Sequence, residues 1–273
     1  MVVISREGDH ISWDKMGRGG RLPSDTRAVI NVAGYNILSP KFLAHSDPYF
    51  WNAVTTSRVD TTKYLARAIT KMESPPKVFA TISGVGYYPY SDTETYDESS
   101  PGGKGNFFAE LCQDWEDASS LPPGHPTRRV ILRSGVVMGP GGGIMSRIYL
   151  PFFLGLGGPI GYPGSQFMPF ISLEDVVRMF MFAVEEDHVT GVLNAVAPQM
   201  ITSRVFAQTV GRVMRRPAVI PVPDLAIQLL FGNERADVLL KSLRVVPKRT
   251  QELGYKYQFD NIHDTVRYGL GRL

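Results

Sequence analysis

Val2-Val3-Ile4-Ser5-Arg6 decides the reading of this chain, together with Val29-Ile30-Asn31-Val32-Ala33-Gly34 further on. Both are short apolar runs that close on small or polar residues, as buried strands do where they stop at a sheet's carboxyl edge. The first reads as the second strand of a dinucleotide-binding fold, with no first strand ahead of it. The second ends in Asn-x-Ala-Gly, whose small residues let backbone approach the adenine-ribose side of a cofactor. An ordinary Ala-Gly turn at a strand end explains it equally well. Ser5-Arg6 also carries two readings. The residue closing the second strand meets the adenosine ribose, where an acid selects a 2′-hydroxyl and an arginine suits a 2′-phosphate. Ser-Arg there favours NADP over NAD; the competing reading is a solvated arginine near a terminus.

Outward from these runs, strand-like and helix-like stretches alternate. That predicts an α/β protein with a doubly wound, mostly parallel sheet, Rossmann-like but with its first strand missing. A short edge piece covers 10–13. Asp47-Pro48 reads as the cap and first position of a helix running to about Met72, where Pro75-Pro76 prevents continuation. A strand over 77–83 precedes a long loop, a helix over 107–118 and a strand over 129–134. Ser172-Leu173-Glu174-Asp175 is like a capping box with Asp in place of Glu or Gln, opening a helix to Val184. From about Gly191 short strands and prolines take over. The expected division is a Rossmann-like NADP-binding domain over 1–190 and a smaller C-terminal, substrate-side lobe over 191–273.

Composition excludes more than it assigns. The 273 residues are 43% apolar, enough for a sizeable core, and 29 basic against 26 acidic residues give a net charge of only +3. No nucleic-acid partner is implied. The basic cluster 212–216 reads as a helix end, where cations suit the dipole. One cysteine, Cys112, allows no internal disulfide and fits a reducing compartment. The five histidines show no metal-ligand spacing, so no metal is expected. The apolar stretch 148–162 is broken by Pro151 and Pro159 and is too short to span a bilayer, which leaves a buried segment or pocket wall. The run 139–143 lacks the Lys-Ser/Thr pair of a P-loop, and Lys104 has no proper spacing either. The expected compartment is intracellular, cytoplasm or mitochondrion.

Several motifs in order carry a resemblance. They are Asn31-Val32-Ala33-Gly34, Ser57-Arg58, Ser83-Gly84-Val85-Gly86-Tyr87-Tyr88, Arg133-Ser134-Gly135-Val136-Val137 and Leu154-Gly155-Leu156-Gly157-Gly158-Pro159-Ile160-Gly161. Val246-Pro247-Lys248-Arg249 with Leu253-Gly254-Tyr255 completes the set. Over nearly its whole length the chain resembles the atypical short-chain dehydrogenase/reductases known as epimerase family proteins of class 39U. The resemblance implies an NADP site built from Ser5, Arg6, Val32, Ala33, Arg58 and Val137. Leu154 to Gly161 reads as lining the substrate side, because a Gly-rich apolar loop there lets a ligand approach backbone; a structural turn explains it nearly as well.

Active extended dehydrogenases use a Ser/Thr, a Tyr, and a Lys four residues after the Tyr; the Tyr moves the proton and the Lys lowers its pKa. The equivalent helix here offers Phe108 and Cys112, and members of the resembled family lack the pair too. Phe cannot transfer a proton. Ser83 is the remaining hydroxyl of the Ser position, and Tyr87 and Tyr88 lie just past the strand's carboxyl end. These three are the weak catalytic candidates, beside Cys112 as a thiol; packing of the pocket wall is the alternative for the tyrosines, and a small buried side chain for Cys112.

The Gly-rich turn that would hold a pyrophosphate belongs ahead of Met1. The sequence therefore reads as an incomplete gene model or shortened isoform, with a gap in the sheet between the second strand and the one ending at Val32. Two functions remain open. One is an NADP-dependent oxidoreductase or epimerase-like enzyme acting on an unidentified small molecule. The other is a catalytically inactive cofactor-binding or scaffolding protein, which leaves room for a homo-oligomer or a protein partner.

Overall fold

The computed structural model describes residues 1–6, 10–38 and 48–272. The chain opens with β1 (Ile4–Ser5), β2 (Ile11–Ser12), α1 (Trp13–Gly17), β3 (Ala28–Asn31), α2 (Pro48–Thr56), α3 (Val59–Thr70) and β4 (Val78–Gly84). A 3₁₀ turn at Val85–Tyr87 and β5 (Thr95–Tyr96) lead to α4 (Phe107–Asp117), β6 (Arg128–Ser134), β7 (Val136–Met138) and α5 (Gly143–Phe153). Then come β8 (Phe170–Ser172), α6 (Leu173–Glu185), β9 (Gly191–Ala195) and α7 (Ser203–Met214). The last elements are α8 (Asp224–Phe231), α9 (Asn233–Leu240), β10 (Arg244–Val245), α10 (Lys248–Glu252) and α11 (Ile262–Gly269).

The main sheet has the order β3-β4-β6-β9, with every pair parallel. Parallel neighbours need crossover connections, which α3, α4 and α6 supply. β4 shows why the sheet is wound on both faces. Val78 and Ala80 join Val176, Met179, Phe180 and Ala183 of α6 in one core. Phe79, from the opposite side of the pleat, joins Leu65 and Ile69 of α3 in another. The doubly wound sheet expected from the alternation is present.

β1 and β2 form a separate parallel pair, Ile4 opposite Ile11 and Ser5 opposite Ser12. Ile4, Ile11 and Trp13 pack onto the α3 cluster, so one helix backs both sheets. Among the described residues no strand joins β1 to β3. The change in composition at Gly191 falls at the start of the sheet's last strand, because β9 pairs with β6.

Three local expectations need correction. The helix expected from 47 to about 72 is two helices, broken at Ser57 and Arg58, and its Asp47 cap lies outside the described residues. At the break Ser57 Oγ accepts from the Tyr35 N–H at 2.9 Å and donates to the Val54 carbonyl. Ser172 does cap α6, accepting from the Asp175 N–H at 2.8 Å, but the capping box does not close on backbone. Instead the Ser172 hydroxyl donates to the Asp175 carboxylate at 2.6 Å. The stretch 148–162 is not a buried segment throughout: Phe152, Gly157, Gly158 and Gly161 are enclosed, whereas Leu150, Leu154, Leu156 and Tyr162 stand exposed. Apolar composition suggested burial, but among the described residues no neighbouring element covers those side chains of α5 and its loop. The cluster 212–216 is a helix end as expected, with Arg215 in the left-handed region at φ 55°.

Candidate functional site

A groove of about 1140 Å³ runs between β1 and β3, floored by α2 and α3. Ser5 and Arg6 line one side; Asn31, Val32, Ala33 and Gly34 line the other, with Ser57 below. Four of the six expected cofactor residues, Ser5, Arg6, Val32 and Ala33, thus come together. Arg6 and Val32 are exposed to the groove, Val32 at 62%.

The turn at Val32–Gly34 is held from behind by a network that sequence reading missed. Asn31 is buried, accepts from the Ala33 N–H at 3.1 Å, and donates to Thr62 Oγ1 at 2.8 Å. Thr62 Oγ1 also accepts from the Trp115 indole at 3.0 Å and donates to the Arg58 carbonyl at 2.6 Å. Every polar group in this chain of contacts is satisfied, which fixes the turn rather than leaving it to fluctuate. Only the Asn31–Ala33 contact is local enough to be read from sequence, as an Asx turn.

Arg58, the fifth expected residue, lies directly behind Gly34. Its guanidinium donates to the carbonyls of Val54 and Tyr35 at 3.1 and 3.0 Å and lies 5.1 Å from the Trp115 ring. A Cβ at Gly34 would meet the Arg58 Cζ at 3.2 Å, so glycine there permits the close approach. Burial pulls the Arg58 pKa below its usual value, partly offset by Cys112. Val137, the sixth, is elsewhere: it pairs with Ile171 across β7 and β8, packs against the α6 core, and does not line the groove.

The end of β4 carries the candidate chemistry. Ser83 Oγ is buried and has no conventional hydrogen-bond partner. The Cys112 thiol neighbours it: a Cβ at Gly84 would meet Cys112 Sγ at 3.5 Å, and one at Gly86 would meet the Phe108 Cβ at 3.6 Å. Phe108 and Cys112 therefore face the strand end where a proton-transferring pair would stand. Burial, then Glu116, pushes the Cys112 thiol up to about 11, against the pull of the Gly84 N–H, Ser83 and Arg58. It is protonated at neutral pH.

Tyr87 and Tyr88 belong to a buried polar cluster instead of the groove. Arg133 donates from Nε and Nη2 to both carboxylate oxygens of Glu116, each at 2.8 Å, and from Nη1 to the Tyr88 hydroxyl at 2.9 Å. The Tyr88 hydroxyl donates onward to Asn194 Oδ1 at 2.8 Å, and the Arg133 guanidinium stacks 3.3 Å from the Tyr87 ring centre. Tyr88 has no exposed surface, and burial raises its hydroxyl to about 12 despite Arg133 and Asn194. Burial works against the Arg133 cation, but Glu116 and Tyr88 outweigh it and leave its pKa raised. Asn194 Nδ2 donates to the Val246 carbonyl, which ties the cluster to the tail.

A parallel sheet wound on both faces, with a groove that runs between β1 and β3 and reaches their carboxyl ends, is an α/β Rossmann-like fold of the kind that short-chain dehydrogenases and epimerases use. Comparison with known proteins narrows the class. The human epimerase family protein SDR39U1 is 48% identical over 264 residues, 96% of this chain and 88% of that protein. The chloroplastic homolog of Arabidopsis thaliana is 32% identical, over 97% of this chain and 72% of its own length. The chain belongs to this SDR39U1 epimerase family. A crystal structure of the human protein (isoform 2) with NADPH superposes with a TM-score of 0.94 at 44% identity, covering 100% of this chain and 91% of that one. A nucleoside-diphosphate sugar epimerase from Corynebacterium glutamicum shares the fold, with a TM-score of 0.70 at 23% identity over 91% of this chain and 48% of that one. Residues 222–268 match a domain of unknown function, DUF1731.

Proposed function

We propose that this protein binds NADP through the groove between β1 and β3 and acts as an epimerase-like oxidoreductase on a small molecule. The observation that carries the reading is the convergence of Ser5, Arg6, Val32 and Ala33 on one groove. The NADPH in the human relative supports it. Arg6 would neutralise a 2′-phosphate, Ser5 would meet the ribose, and the fixed turn at Val32–Ala33 would admit the cofactor to backbone distance. Arg58 steadies that turn from behind, and Val137 would pack at the nicotinamide end. Bound NADP supplies hydride transfer. The chain's own contribution at the reacting end is limited: Phe108 moves no proton, the Cys112 thiol stays protonated, and Tyr88 is committed to Arg133 and Asn194. Ser83, buried without a conventional partner, is the hydroxyl open to a new hydrogen bond.

A second reading, a cofactor-binding sensor or scaffold with no turnover, is favoured by Phe108 and Cys112 facing Gly84 and Gly86 where acid–base residues would act. An intracellular location, cytoplasm or mitochondrion, goes with either reading, as does a homo-oligomer or protein partner for the second. Calorimetric titration tests the shared step. NADPH is expected to bind more tightly than NADH; equal or absent binding rejects the NADP site. Oxidation of bound NADPH followed by absorbance, with candidate carbonyl substrates, then separates enzyme from sensor.

A further inference from the structure

We propose that the exposed apolar face of α5 and of the turn after it, rimmed by arginines, docks on an anionic membrane surface. Met145 and Phe152 of α5 point into the core shared with α7. Tyr149, Leu150, Phe153 and Leu154 point outward, between 45% and 60% exposed, and the Tyr149 and Phe153 rings stack at 6.0 Å. Leu156 extends the face past the helix end, and the stretch 216–220 runs beside it. There the Ile220 N–H donates to the Gly157 carbonyl at 3.1 Å, and Arg216 Nε donates to the Phe153 carbonyl at 2.8 Å. Val219, on that stretch, is 77% exposed. Apolar side chains scattered singly are ordinary at a protein surface, whereas a continuous face of them marks an interaction site.

The backbone of the turn is equipped for an apolar medium. The N–H groups of Leu154, Gly155 and Leu156 donate to the carbonyls of Leu150, Phe152 and Pro151, while the Phe153 and Gly157 carbonyls accept from Arg216 and Ile220. Backbone paired in this way leaves hydrocarbon few polar groups to strand. The charge around the face is of one sign. Residues 143–163 and 203–223 hold five arginines and no acid. Arg147, exposed and bonded to the Leu38 carbonyl, stands on one side; Arg216, 5.3 Å from the Phe153 ring centre, stands on the other. Asp224 ends the acid-free stretch, accepting from the Tyr162 N–H at 3.3 Å. Apolar tips beside long cationic side chains match a bilayer boundary, with the tips among acyl chains and the guanidiniums at the phosphates. Tyr149 suits the same depth. Such a contact is peripheral and needs no spanning helix, of which the described residues form none. A second copy fits less well, because a two-fold contact sets this acid-free face against itself. An acidic protein would answer the arginines, but Leu154 and Leu156 project as tips that insert, without a groove to receive a helix.

The test floats the full chain with vesicles of phosphatidylcholine, alone or with about 30% phosphatidylserine. At low salt at least about tenfold more protein is expected on the anionic vesicles, and the difference is expected to shrink as salt screens the arginines. Leu154→Asp with Leu156→Asp is expected to abolish flotation, and Arg147→Gln with Arg216→Gln to cut the anionic preference severalfold, both at an unchanged urea midpoint. A polarity-sensitive fluorophore on Leu154→Cys frees the test from folding defects, since the buried Cys112 stays unlabelled. Its emission is expected to shift to the blue on anionic vesicles, while the same label on Lys71→Cys, exposed just past α3, stays put. Equal flotation on both vesicle types, or a shift at Lys71 as large as at Leu154, would overturn the proposal. So would a solution dimer that Leu154→Asp with Leu156→Asp dissolves, which gives the face to a second copy. Failure to float at low salt overturns it as well, and retention on an immobilised Glu-rich amphipathic helix would then give the face to an acidic protein.

Discussion

Arg6 and Cys112 show how differently two single residues can be tested. Arg6 stands exposed at the groove, so its removal is expected to spare folding and to act on the ligand alone. Arg6→Ala should weaken NADPH by roughly tenfold or more, about 1.5–3 kcal/mol for a charge-assisted contact, and leave NADH unchanged in the same calorimeter. Cys112 acts through its proton. A thiol in the unfolded chain titrates near ~8.5, whereas burial first, then Glu116, holds the folded one up to about 11. The unfolded state thus releases a proton that the folded state keeps. The stability is fully present below pH ~8.5 and lost as pH rises towards about 11. The urea midpoint should fall through that window, and fall less in Cys112→Ala. Glu116→Gln strips the paired charge from buried Arg133 and is expected to cost about 3–5 kcal/mol by urea unfolding. That Ser5, Arg6, Val32 and Ala33 stand at strand ends was legible in sequence, because strand ends are local features. The support behind them was not: Asn31 finds Thr62, and Trp115 finds that same hydroxyl, only once α3 and α4 have folded onto the sheet.

At the scale of elements, strands and caps were readable and coverage was not. β3, β4 and β6 match the apolar runs because a strand buried on both faces writes a continuous signal. The stretch 148–162 is just as apolar, yet exposed, since burial depends on what packs opposite and that is settled elsewhere in the chain. The start of α6 illustrates a junction no spacing rule foretells. Asp175 is fully buried and accepts from the Ser172 and Tyr255 hydroxyls and from the N–H groups of Gln258 and Phe259. Asp175→Ala leaves several buried donors unpaired and should cost at least ~3 kcal/mol, read from urea unfolding.

Across the whole molecule, two sheets share one helix, with very different support. β4 and β6 are enclosed on both sides, while β1 and β2 rest on the α3 cluster through Ile4 and Ile11, beside Trp13 and Met16 of α1. Hydrogen exchange should therefore be faster in β1 and β2 than in β4 or β6, the pair opening by itself below the cost of global unfolding. Equal rates would show that both sheets unfold together. The Rossmann-like class was legible from the alternation of strands and helices; the change in composition near 191 falls where β9 starts, and the sheet continues through it.

The contact of Tyr255 with Asp175 has a consequence for synthesis. Tyr255 is a member of the core that joins β4 to α6, so a segment made well after β4 seals what β4 began. At ~5–20 residues per second, translation leaves the face of β4 and β6 waiting for that seal, open to chaperones and proteases. A chain ending at residue 250 is expected to be cut throughout the sheet by a protease that spares the full chain. Resistance of the shorter chain would show that the sheet matures on its own.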